Sequence, residues 1–560
     1  MMELYELEKE LMRMNRKSYK LYKKLRGTST KYDYGIGVIT KVQGDPHANP
    51  SIMEVKIPPK HHGIPKKLLN DPTCREPLSD YVTRHLYKLC KRFRRRCGSG
   101  NSCYIGIPKP GSRILLRSSV EVFNGDLIVR FFIGLPAIGR KILAIEAKRL
   151  LIDKVNTLIK ELVSSLRNEL EKLEKHVNLY KDQEYLREWI SRKDYIAFIP
   201  NEAILPRESS ISQRPLRNAV KFKSPKFMEI KVKLPSGKVV SGMAIPKGVI
   251  VITGGAYHGK TTLLNSIQDG IYNHVEGDGR EYLVSLKNTV TIKAEDGRIV
   301  NHVDISNFIK TLPGGINTED FTTLNASGST SMAAAISEAL ELNVDTLLID
   351  EDTSATNLLF KDDVMNKLTP EDPINPLSNL VKRVTASTNT SIVIISSASS
   401  TFLPLADKVI KISNYLPQDI TNELRKYITR NINVSTNELK PIKKRVFYGI
   451  KNLKKVKTSG YKLRFSYTDG TTFELDLKSN PRIVEVGQVR LLALIIKELA
   501  KTNKPMLMKE VVRYVNDKLR NEGFRAFTKV VPPDLTIING LDVVWAINRL
   551  YRALIKQVQF

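Results

Sequence analysis

The pattern of hydrophobic and polar positions changes twice along the chain. In the central part, apolar runs such as VIVIT at 249–253 and SIVII at 391–395 are unbroken, which is typical of strands buried on both faces. Near the end, YKLRFSYTDGTTFELDL alternates apolar and polar residues around Asp469-Gly470, which predicts a hairpin. Helical spacing then recurs near residues 487–501, 506–521 and 540–557. The pattern predicts mixed α and β structure in several domains.

The first part of the chain mixes helical and strand patterns. Helical spacing covers residues 4–25 and, with many cations, residues 78–96. The runs SSVEVF and DLIVRFFIGL are typical of strands, and the Asn124-Gly125 dipeptide between them favours a tight hairpin turn. A charged helical pattern at 140–176 leads towards the central strands. These elements predict an N-terminal α+β domain.

A phosphate-binding loop follows the first central strand. Residues 254–261, GGAYHGKT, fit the spacing GxxxxGK[ST], and a helix is expected to start near Thr261. Glycines let backbone N–H groups face phosphates, and a helix N-terminus adds the positive end of its dipole. Lys260 is expected to reach the β- and γ-phosphates of ATP, and the Thr261 hydroxyl to bind Mg²⁺. The predicted nucleotide-binding residues of this loop are Gly254, Gly255, Ala256, Tyr257, His258, Gly259, Lys260, Thr261 and Thr262.

An acidic pair ends a second central strand. In TLLIDED, Asp350 and Glu351 close an apolar run. Phosphoryl-transfer sites need one carboxylate beside the magnesium ion and one that activates the attacking water. We therefore expect Asp350 to bind Mg²⁺ and Glu351 to act as the catalytic base, with Lys260 as the second catalytic residue.

A serine-rich helix start lies between these two motifs. In ATPases of the ABC type, a serine-glycine signature opens a helix that leads into the acidic strand and completes the γ-phosphate site of a partner subunit. The segment ASGSTSMAAAISEAL has this position, so Ser327, Gly328 and Ser329 are predicted to bind nucleotide across a homodimer. Ser329 and Thr330 replace the usual second glycine and glutamine. The alternative is an ordinary N-cap of an Ala-rich helix, by Ser327 or Ser329.

The net charge of +31 is unevenly distributed. Residues 1–245 carry +23 and residues 421–560 carry +16, whereas residues 246–420 carry −8. Basic flanks around an acidic core indicate a polyanionic partner, and single-stranded RNA is the predicted one. The densest cation run, KLCKRFRRRC, predicts a nucleic-acid contact, although a solvated helix face would carry the same pattern. The predicted contact residues are Arg92, Arg94, Arg95 and Arg96.

Several classes of protein do not fit the sequence. No run of 18 apolar residues occurs, so no membrane-spanning helix is expected, and the charged start MMELYELEKELMRM is not a signal peptide. Four cysteines in 560 residues favour a reducing compartment, hence a cytoplasmic location. The spacing of Cys90, Cys97 and Cys103 fits no common zinc site, so we expect ordinary unpaired thiols.

The ordered motifs resemble the family described as predicted ATPases of the ABC class. The resemblance rests on segments along nearly the whole chain, among them VQGDPHANPS, FFIGLPAIGRKI, GGAYHGKTTLL, YNHVEGDGRE, AEDGR, ASGSTSMAAAISEALE, LLIDEDTSATN and VEVGQVRLLAL. It implies an α/β fold: a P-loop NTPase core of ABC type, flanked by a basic α+β N-terminal domain and a small basic α/β C-terminal domain. It also implies ATP and Mg²⁺ as cofactors, head-to-tail dimerisation and association with RNA.

The chain departs from typical ABC ATPases at three further places. No histidine follows His302, so Ser396 and Ser397 stand where the switch histidine is expected. No glutamine occurs between Gln268 and Gln418, so the usual Q-loop glutamine is absent. Within AEDGR, Glu295 or Asp296 is a candidate to replace it at the edge of the metal site, with Glu295 as a predicted metal ligand; a structural turn is the alternative. The D-loop position holds Asn357.

These observations favour one function and leave two alternatives open. We expect a homodimeric ATP hydrolase that binds RNA through its basic flanks, slowed by the missing switch histidine. The alternatives are an ATP-gated nucleic-acid-binding or scaffold protein with negligible hydrolysis, and the ATPase subunit of a transporter. The expected domains span residues 1–165, 166–425 and 440–560.

Overall fold

The computed structural model describes residues 1–209, 212–424, 426–427, 438–502 and 504–558. Within these, the chain forms two units. The first consists of Met1–Lys181, Glu485–Leu491 and Asn521–Ile537, and the second consists of Asp182–Val484, Leu492–Arg520 and Ile538–Phe560. Two of the domain limits expected from the sequence, 425 and 560, lie outside the described residues. The three domain boundaries stay a prediction.

The first unit contains helices and an antiparallel sheet. Its strands are β1 (Ser29–Tyr32), β2 (Gly35–Lys41), β3 (Ser51–Ile57), β4 (Ile105–Gly106), β5 (Arg113–Ile114), β6 (Val120–Phe123), β7 (Asp126–Ile133), β8 (Ala137–Ile138) and β9 (Lys141–Ile142). Its helices are α1 (Leu4–Arg13), α2 (Pro59–His62), α3 (Lys66–Leu69), α4 (Arg75–Phe93), α5 (Ala144–Lys148) and α6 (Val155–Asn168). The sheet order is β1-β2-β3-β7-β4, with β6 paired to β7.

The predicted hairpin in this unit is confirmed. Strands β6 and β7 pair in antiparallel register, with Phe123 opposite Asp126. The two residues between them take positive φ, 50° at Asn124 and 80° at Gly125. A two-residue turn of this kind matches the twist of the flanking strands, which is why Asn-Gly is favoured there.

Two predicted helices in this unit are interrupted. The pattern at 4–25 forms α1 and then a separate 3₁₀ helix, Tyr19–Leu25. The pattern at 140–176 forms α5, a π-helical turn over Arg149–Lys154, and α6. At Glu169 the backbone leaves the helical region (φ −118°, ψ 31°), and α7 (Leu170–Arg192) starts at the next residue.

A buried ion network joins distant segments within the first unit. Arg117 is 3% exposed. Its Nη2 lies 2.6 Å from Glu485 Oε1, and its Nη1 pairs with Asp80. Burial alone would raise the pKa of Asp80, but Arg84 and Arg117 outweigh burial and hold this pKa well below its usual value. The ionised carboxylate therefore stabilises the fold above the pKa of an unfolded Asp, and this contribution is lost as the pH falls.

The cysteines differ from expectation. Cys97 and Cys103 form a disulfide, with Cα atoms 5.5 Å apart, so the prediction of unpaired thiols is wrong for these two. Gly98 and Gly100, at φ 84° and 58°, let the loop turn back between them. Cys74 and Cys90 are free and buried. The cytoplasmic location stays a prediction.

The second unit contains the remaining strands. Before the acidic strand these are β10 (Tyr195–Pro200), β11 (Glu229–Lys233), β12 (Val239–Pro246), β13 (Val249–Gly254), β14 (Asn273–His274), β15 (Val284–Ser285), β16 (Thr289–Ile292), β17 (Val300–Val303) and β18 (Phe321–Thr323). From there on they are β19 (Thr346–Asp350), β20 (Ser391–Ile395), β21 (Lys408–Ser413), β22 (Leu416–Asp419), β23 (Arg445–Ile450), β24 (Leu453–Ser459), β25 (Lys462–Tyr467), β26 (Thr472–Asp476), β27 (Met506–Leu507) and β28 (Ala553–Gln557).

Helices cover the sheets of this part of the chain. The helices after α7 are α8 (Lys260–Asp269), α9 (Gly328–Glu341), α10 (Thr356–Leu359), α11 (Asp363–Leu368), α12 (Leu377–Thr388), α13 (Thr421–Leu424), α14 (Val486–Leu499), α15 (Met508–Glu522) and α16 (Gly540–Asn548). Helices α7, α14 and α15 each contain residues of both units.

The central sheet has the order β16-β19-β20-β13-β21-β22, and its neighbours from β16 to β21 are parallel. Successive residues of β13 face opposite sides, since Val249 and Val251 belong to one core and Ile250 and Ile252 to another. All four side chains are fully buried. A strand covered on both faces has no polar side, which explains the unbroken apolar run in the sequence.

The end of the chain is partly as predicted. The Asp469-Gly470 hairpin forms between β25 and β26, and α14 and α15 match two predicted helices. The third predicted helix, at 540–557, is wrong beyond Asn548, because β28 follows and pairs with β23.

We expect Arg117→Met to lower the stability of the first unit by about 3–5 kcal/mol, since it leaves buried carboxylates without their partner. Hydrogen exchange of β7 peptides across a urea series would measure this loss. The control is Arg13→Met, whose exposed pair with Glu10 spans 3.7 Å and should matter by less than about 1 kcal/mol. Equal losses in the two variants would contradict the role of the network.

Candidate nucleotide site

The glycines of the phosphate loop allow backbone conformations and contacts that other residues do not. Gly254 ends β13 at φ 131°, and a Cβ there would lie 2.2 Å from the Ile412 carbonyl oxygen. Gly259 has φ 99° and is the N-cap of α8. The loop therefore turns sharply between strand and helix, and the α8 N-terminus lies at its end. This is the arrangement that the GxxxxGK[ST] spacing predicts.

Lys260 is the first residue of α8 and only 8% exposed. Its Nζ donates hydrogen bonds to the carbonyl oxygens of Gly254 (3.0 Å) and Gly255 (2.7 Å). The ammonium is thus held against the loop rather than in bulk solvent. From here it can reach phosphate oxygens that occupy the loop.

Thr261 and Asp350 lie together although 89 positions separate them in sequence. The Thr261 hydroxyl donates to Asp350 Oδ2 at 2.8 Å, and Asp350 Oδ1 accepts from the Asp352 N–H at 3.2 Å. A hydroxyl and a carboxylate are oxygen ligands of the kind that Mg²⁺ prefers. The two residues therefore fit the predicted metal site.

Glu351 begins a 3₁₀ turn, Glu351–Thr353, directly after β19. Its Oε2 accepts hydrogen bonds from the N–H groups of Ser397 (2.6 Å) and Ala398 (3.2 Å). These groups follow β20, at the place where the sequence lacks a switch histidine. Backbone donors were not predictable from residue types, because every residue but proline carries one.

The predicted signature residues start α9. Ser327 is its N-cap, and the Ser327 hydroxyl accepts from the Thr330 N–H at 3.4 Å. The Ser329 hydroxyl donates to Asn357 Oδ1 at 2.8 Å, which links the signature to the D-loop position. The N-cap interpretation thus describes the geometry, and the nucleotide contact across a dimer stays a prediction.

Residues 294–298, here called the AEDGR loop, follow β16. Glu295 pairs there with Arg549, whose Nε lies 3.0 Å from Glu295 Oε2. Burial alone would raise the pKa of Glu295, but Arg549 and its hydrogen bonds outweigh burial and lower it. A metal role for Glu295 would require this pair to open, and it stays a prediction.

Aromatic side chains border the loop. Tyr257 is 94% exposed and has φ 63°. The His258 ring packs on Gly255, where a Cβ would lie 3.1 Å from its Cε1. Tyr415, in the turn between β21 and β22, lies beside Gly259 and has φ 68°. Sequence reasoning missed Tyr415; its only signal was an aromatic residue in a tight Asn-Tyr turn.

The predicted nucleic-acid residues lie at the end of α4 and directly after it. Arg92 pairs with Glu161 and lies over the ring of Phe93. Arg94 lies over Tyr104, 4.6 Å from the ring centroid. Arg95 and Arg96 are exposed and follow the helix. The four cations therefore share one short exposed segment, although Arg92 already has an anionic partner.

Three family models match the chain in succession. ATPase of the ABC class N-terminal matches residues 4–166, the ABC_ATPase P-loop domain matches 169–446, and the MRB1590 C-terminal domain matches 456–556. The chain is an ATPase of the ABC class. This confirms the resemblance and the predicted fold class, an α/β P-loop core of ABC type between two further domains.

Other similarities to this ABC-class ATPase are partial. It is 37% identical over 188 residues to the uncharacterized protein MJ1628 of Methanocaldococcus jannaschii. That match covers 32% of the chain and 42% of the relative, less than half of its length. The solved structure of cbiO1 from Clostridium perfringens, part of the ABC transporter complex cbiONQ, matches with 16% identity and a TM-score of 0.25. It covers 42% of the chain and 91% of that structure.

Over the described parts of the ABC-class ATPase, no helix has both the length and the apolar character that a membrane crossing requires.

We expect Lys260→Ala to weaken ATP binding by about 10- to 100-fold, because a charge-assisted hydrogen bond contributes roughly 1.5–3 kcal/mol. Titration with a fluorescent ATP analogue would measure the dissociation constant. The matched control is Lys287→Ala, which removes an exposed lysine paired with Glu184. Unchanged affinity in Lys260→Ala would contradict the role assigned to the loop.

Proposed function

We propose that this protein hydrolyses ATP with Mg²⁺ as a homodimer and binds single-stranded RNA through its basic flanks. The observation that carries the ATPase proposal is the meeting of three groups at one edge of the central sheet: the Lys260 ammonium, the Thr261–Asp350 pair and the Glu351 carboxylate. The family match supports nucleotide binding, and this geometry supports the chemistry.

Each group has a separate task in this proposal. Lys260 and the loop N–H groups bind the phosphates, and Thr261 with Asp350 holds Mg²⁺, which when bound offsets the charge of the phosphate oxygens. Glu351 orients the attacking water and accepts its proton. Since the Ser397 and Ala398 N–H groups hold the Glu351 carboxylate, its orientation does not depend on a histidine. The missing histidine side chain leaves one proton carrier fewer, which is consistent with slow turnover.

The proposal of a homodimer rests on the number of nucleotide-binding motifs in the chain. The chain has one phosphate loop and one serine-glycine signature. In ABC-type ATPases the signature completes the γ-phosphate site of a partner subunit, so two copies are needed for two complete sites. Ser327, Gly328 and Ser329 would then contact nucleotide held by Lys260 of the other copy, and ATP would stabilise the pair.

We expect Glu351→Gln to retain ATP binding and to slow hydrolysis by about tenfold or more, since a positioned base contributes roughly 10²–10⁴-fold. Steady-state phosphate release would measure turnover, and light scattering with ATP and Mg²⁺ would measure the mass. The ATP-bound dimer should persist longer in this variant than in the wild type, because the variant does not hydrolyse the bound ATP that stabilises the dimer.

The control for this experiment is Asp352→Asn, which removes the neighbouring exposed carboxylate and should turn over like the wild type. Wild-type turnover in Glu351→Gln would refute the base assignment. A strict monomer with ATP and Mg²⁺ present would refute the dimer.

The RNA proposal rests on charge. Residues 1–245 and 421–560 are strongly positive, whereas residues 246–420, which contain the phosphate loop and the acidic pair, are negative. Arg92, Arg94, Arg95 and Arg96 are exposed together on one segment of the first unit. Such a cluster attracts phosphates without reading bases, so little sequence preference is expected.

We expect replacement of Arg92, Arg94, Arg95 and Arg96 by Ala to weaken binding of single-stranded RNA and to flatten its salt dependence, because fewer counterions are released. Filter binding at several salt concentrations would measure both, and ATP affinity should not change. The charge-matched control replaces the exposed lysines Lys221, Lys223, Lys231 and Lys233 of the second unit.

Two results would contradict this proposal. No RNA retained by the wild type at low salt would exclude an RNA partner under these conditions. An equal loss in the control set would show that net charge, and not the segment after α4, governs binding.

A further inference from the structure

The AEDGR loop supports the turn that carries the proposed catalytic base. The Ala294 N–H donates to the Thr353 carbonyl oxygen at 3.0 Å. Thr353 is the last residue of the 3₁₀ turn that starts at Glu351. A shift of the loop would therefore move this turn, and with it the Glu351 carboxylate.

The same loop also contacts the start of the signature helix. The Gly297 N–H donates to the Ala326 carbonyl oxygen at 2.8 Å, one residue before Ser327. A Cβ on Gly328 would lie 3.2 Å from Asp296 Oδ1, so the loop and the helix N-terminus approach closely. The loop thus contacts both the turn that follows the acidic strand and the start of the signature helix.

Arg549, at the C-terminal end of α16, holds this loop. Its Nε and Nη2 bind both carboxylate oxygens of Glu295, and its Nη1 lies 3.9 Å from Glu338 of α9. The guanidinium stacks on Trp545, 3.8 Å from the ring centroid, and donates to the Trp545 carbonyl oxygen at 3.1 Å. Arg549 is only 3% exposed. A bidentate, stacked guanidinium fixes its carboxylate in one orientation, which a lysine cannot do.

Packing alone does not fix the loop. A cavity of about 520 Å³ opens along residues 295–299. Its other walls include Leu324, Phe473 and Tyr551. Since the loop borders open space on this side, its position depends on the polar contacts described above.

We propose that Arg549 is a positioning residue that couples the C-terminal segment to ATP hydrolysis. Through Glu295 and the AEDGR loop, Arg549 fixes the position of the 3₁₀ turn that contains Glu351 and the position of the start of the signature helix. This inference deepens the proposed function and rests on it. Movement of α16, which contains Trp545 and is followed directly by Arg549, would then change turnover without changing the phosphate loop.

The chain contains a matched control, a second buried arginine that contacts the same helix. Arg482 is 4% exposed, and its Nε lies 2.8 Å from Asp542 of α16. Its Nη1 donates to the carbonyl oxygens of Lys287 (2.8 Å) and Thr289 (2.9 Å), at the N-terminal end of β16. Arg549 instead binds Glu295, which lies beyond the C-terminal end of that strand. Both arginines join α16 to the core, but only Arg549 contacts the AEDGR loop.

The first measurement compares Arg549→Lys with Arg482→Lys. Arg549→Lys should lower kcat about tenfold or more with little change in ATP affinity, since small misplacements of reacting groups cost up to ~10²-fold. Arg482→Lys should lower the melting temperature without lowering kcat of the folded fraction. A merely structural role for Arg549 would instead give the Arg482→Lys result in both variants.

The second measurement does not require turnover. The chain has two tryptophans, so Trp189→Phe leaves Trp545 as the only tryptophan reporter beside Arg549. Addition of ATP and Mg²⁺ should change Trp545 emission in this background. Glu295→Gln should abolish the change while ATP still binds, because the loop then loses its ionic link to Arg549.

The outcomes separate the two proposals. No wild-type turnover, together with a Trp545 response that Glu295→Gln abolishes, refutes hydrolysis but supports a link between Arg549 and the nucleotide site. Normal kcat in Arg549→Lys, or a Trp545 response that survives Glu295→Gln, overturns the coupling and leaves hydrolysis standing.

Discussion

The candidate nucleotide site depends on the parallel pairing of β13, β20 and β19. In this register Ile252 lies opposite Ile395, and Ile395 lies opposite Asp350. Parallel strands end at the same edge of a sheet. The phosphate loop, the segment after β20 and Glu351 therefore all begin within two residues of the paired positions Ile252, Ile395 and Asp350. Each strand is buried on both faces, so a shift of register would disrupt the side-chain packing on both sides of the sheet and destabilise the fold.

A second constraint is the attachment of α16 to the core by buried charges. Asp542, inside the helix, pairs with Arg482 near the N-terminal end of β16. Arg549, directly after the helix, pairs with Glu295 beyond the C-terminal end of β16. Buried ion pairs add little net stability, but they penalise any arrangement that leaves one partner alone. They therefore specify where the C-terminal segment lies along this strand.

Sequence patterns failed where long-range contacts overrode local preference. Residues after Asn548 have helical spacing, yet Ala553–Gln557 form a strand, because pairing with β23 supplies a sheet edge that local sequence does not reveal. The Cys97–Cys103 disulfide is a separate, local case, in which Gly98 and Gly100 take positive φ and the loop between the cysteines turns back. Arg549 and Tyr415 carry no motif, so only their neighbours in space indicate a role.

The sequence by itself determined the phosphate loop, the acidic strand end, the signature helix and both hairpins. These features are local: each follows from residue types at fixed short spacing, such as positive φ at glycine or full burial of an apolar run. The tertiary structure decided which distant groups meet. It paired Thr261 with Asp350, gave the Glu351 carboxylate the backbone donors of Ser397 and Ala398, and joined Glu295 to Arg549. Such contacts depend on strand order and chain packing, which no short pattern encodes.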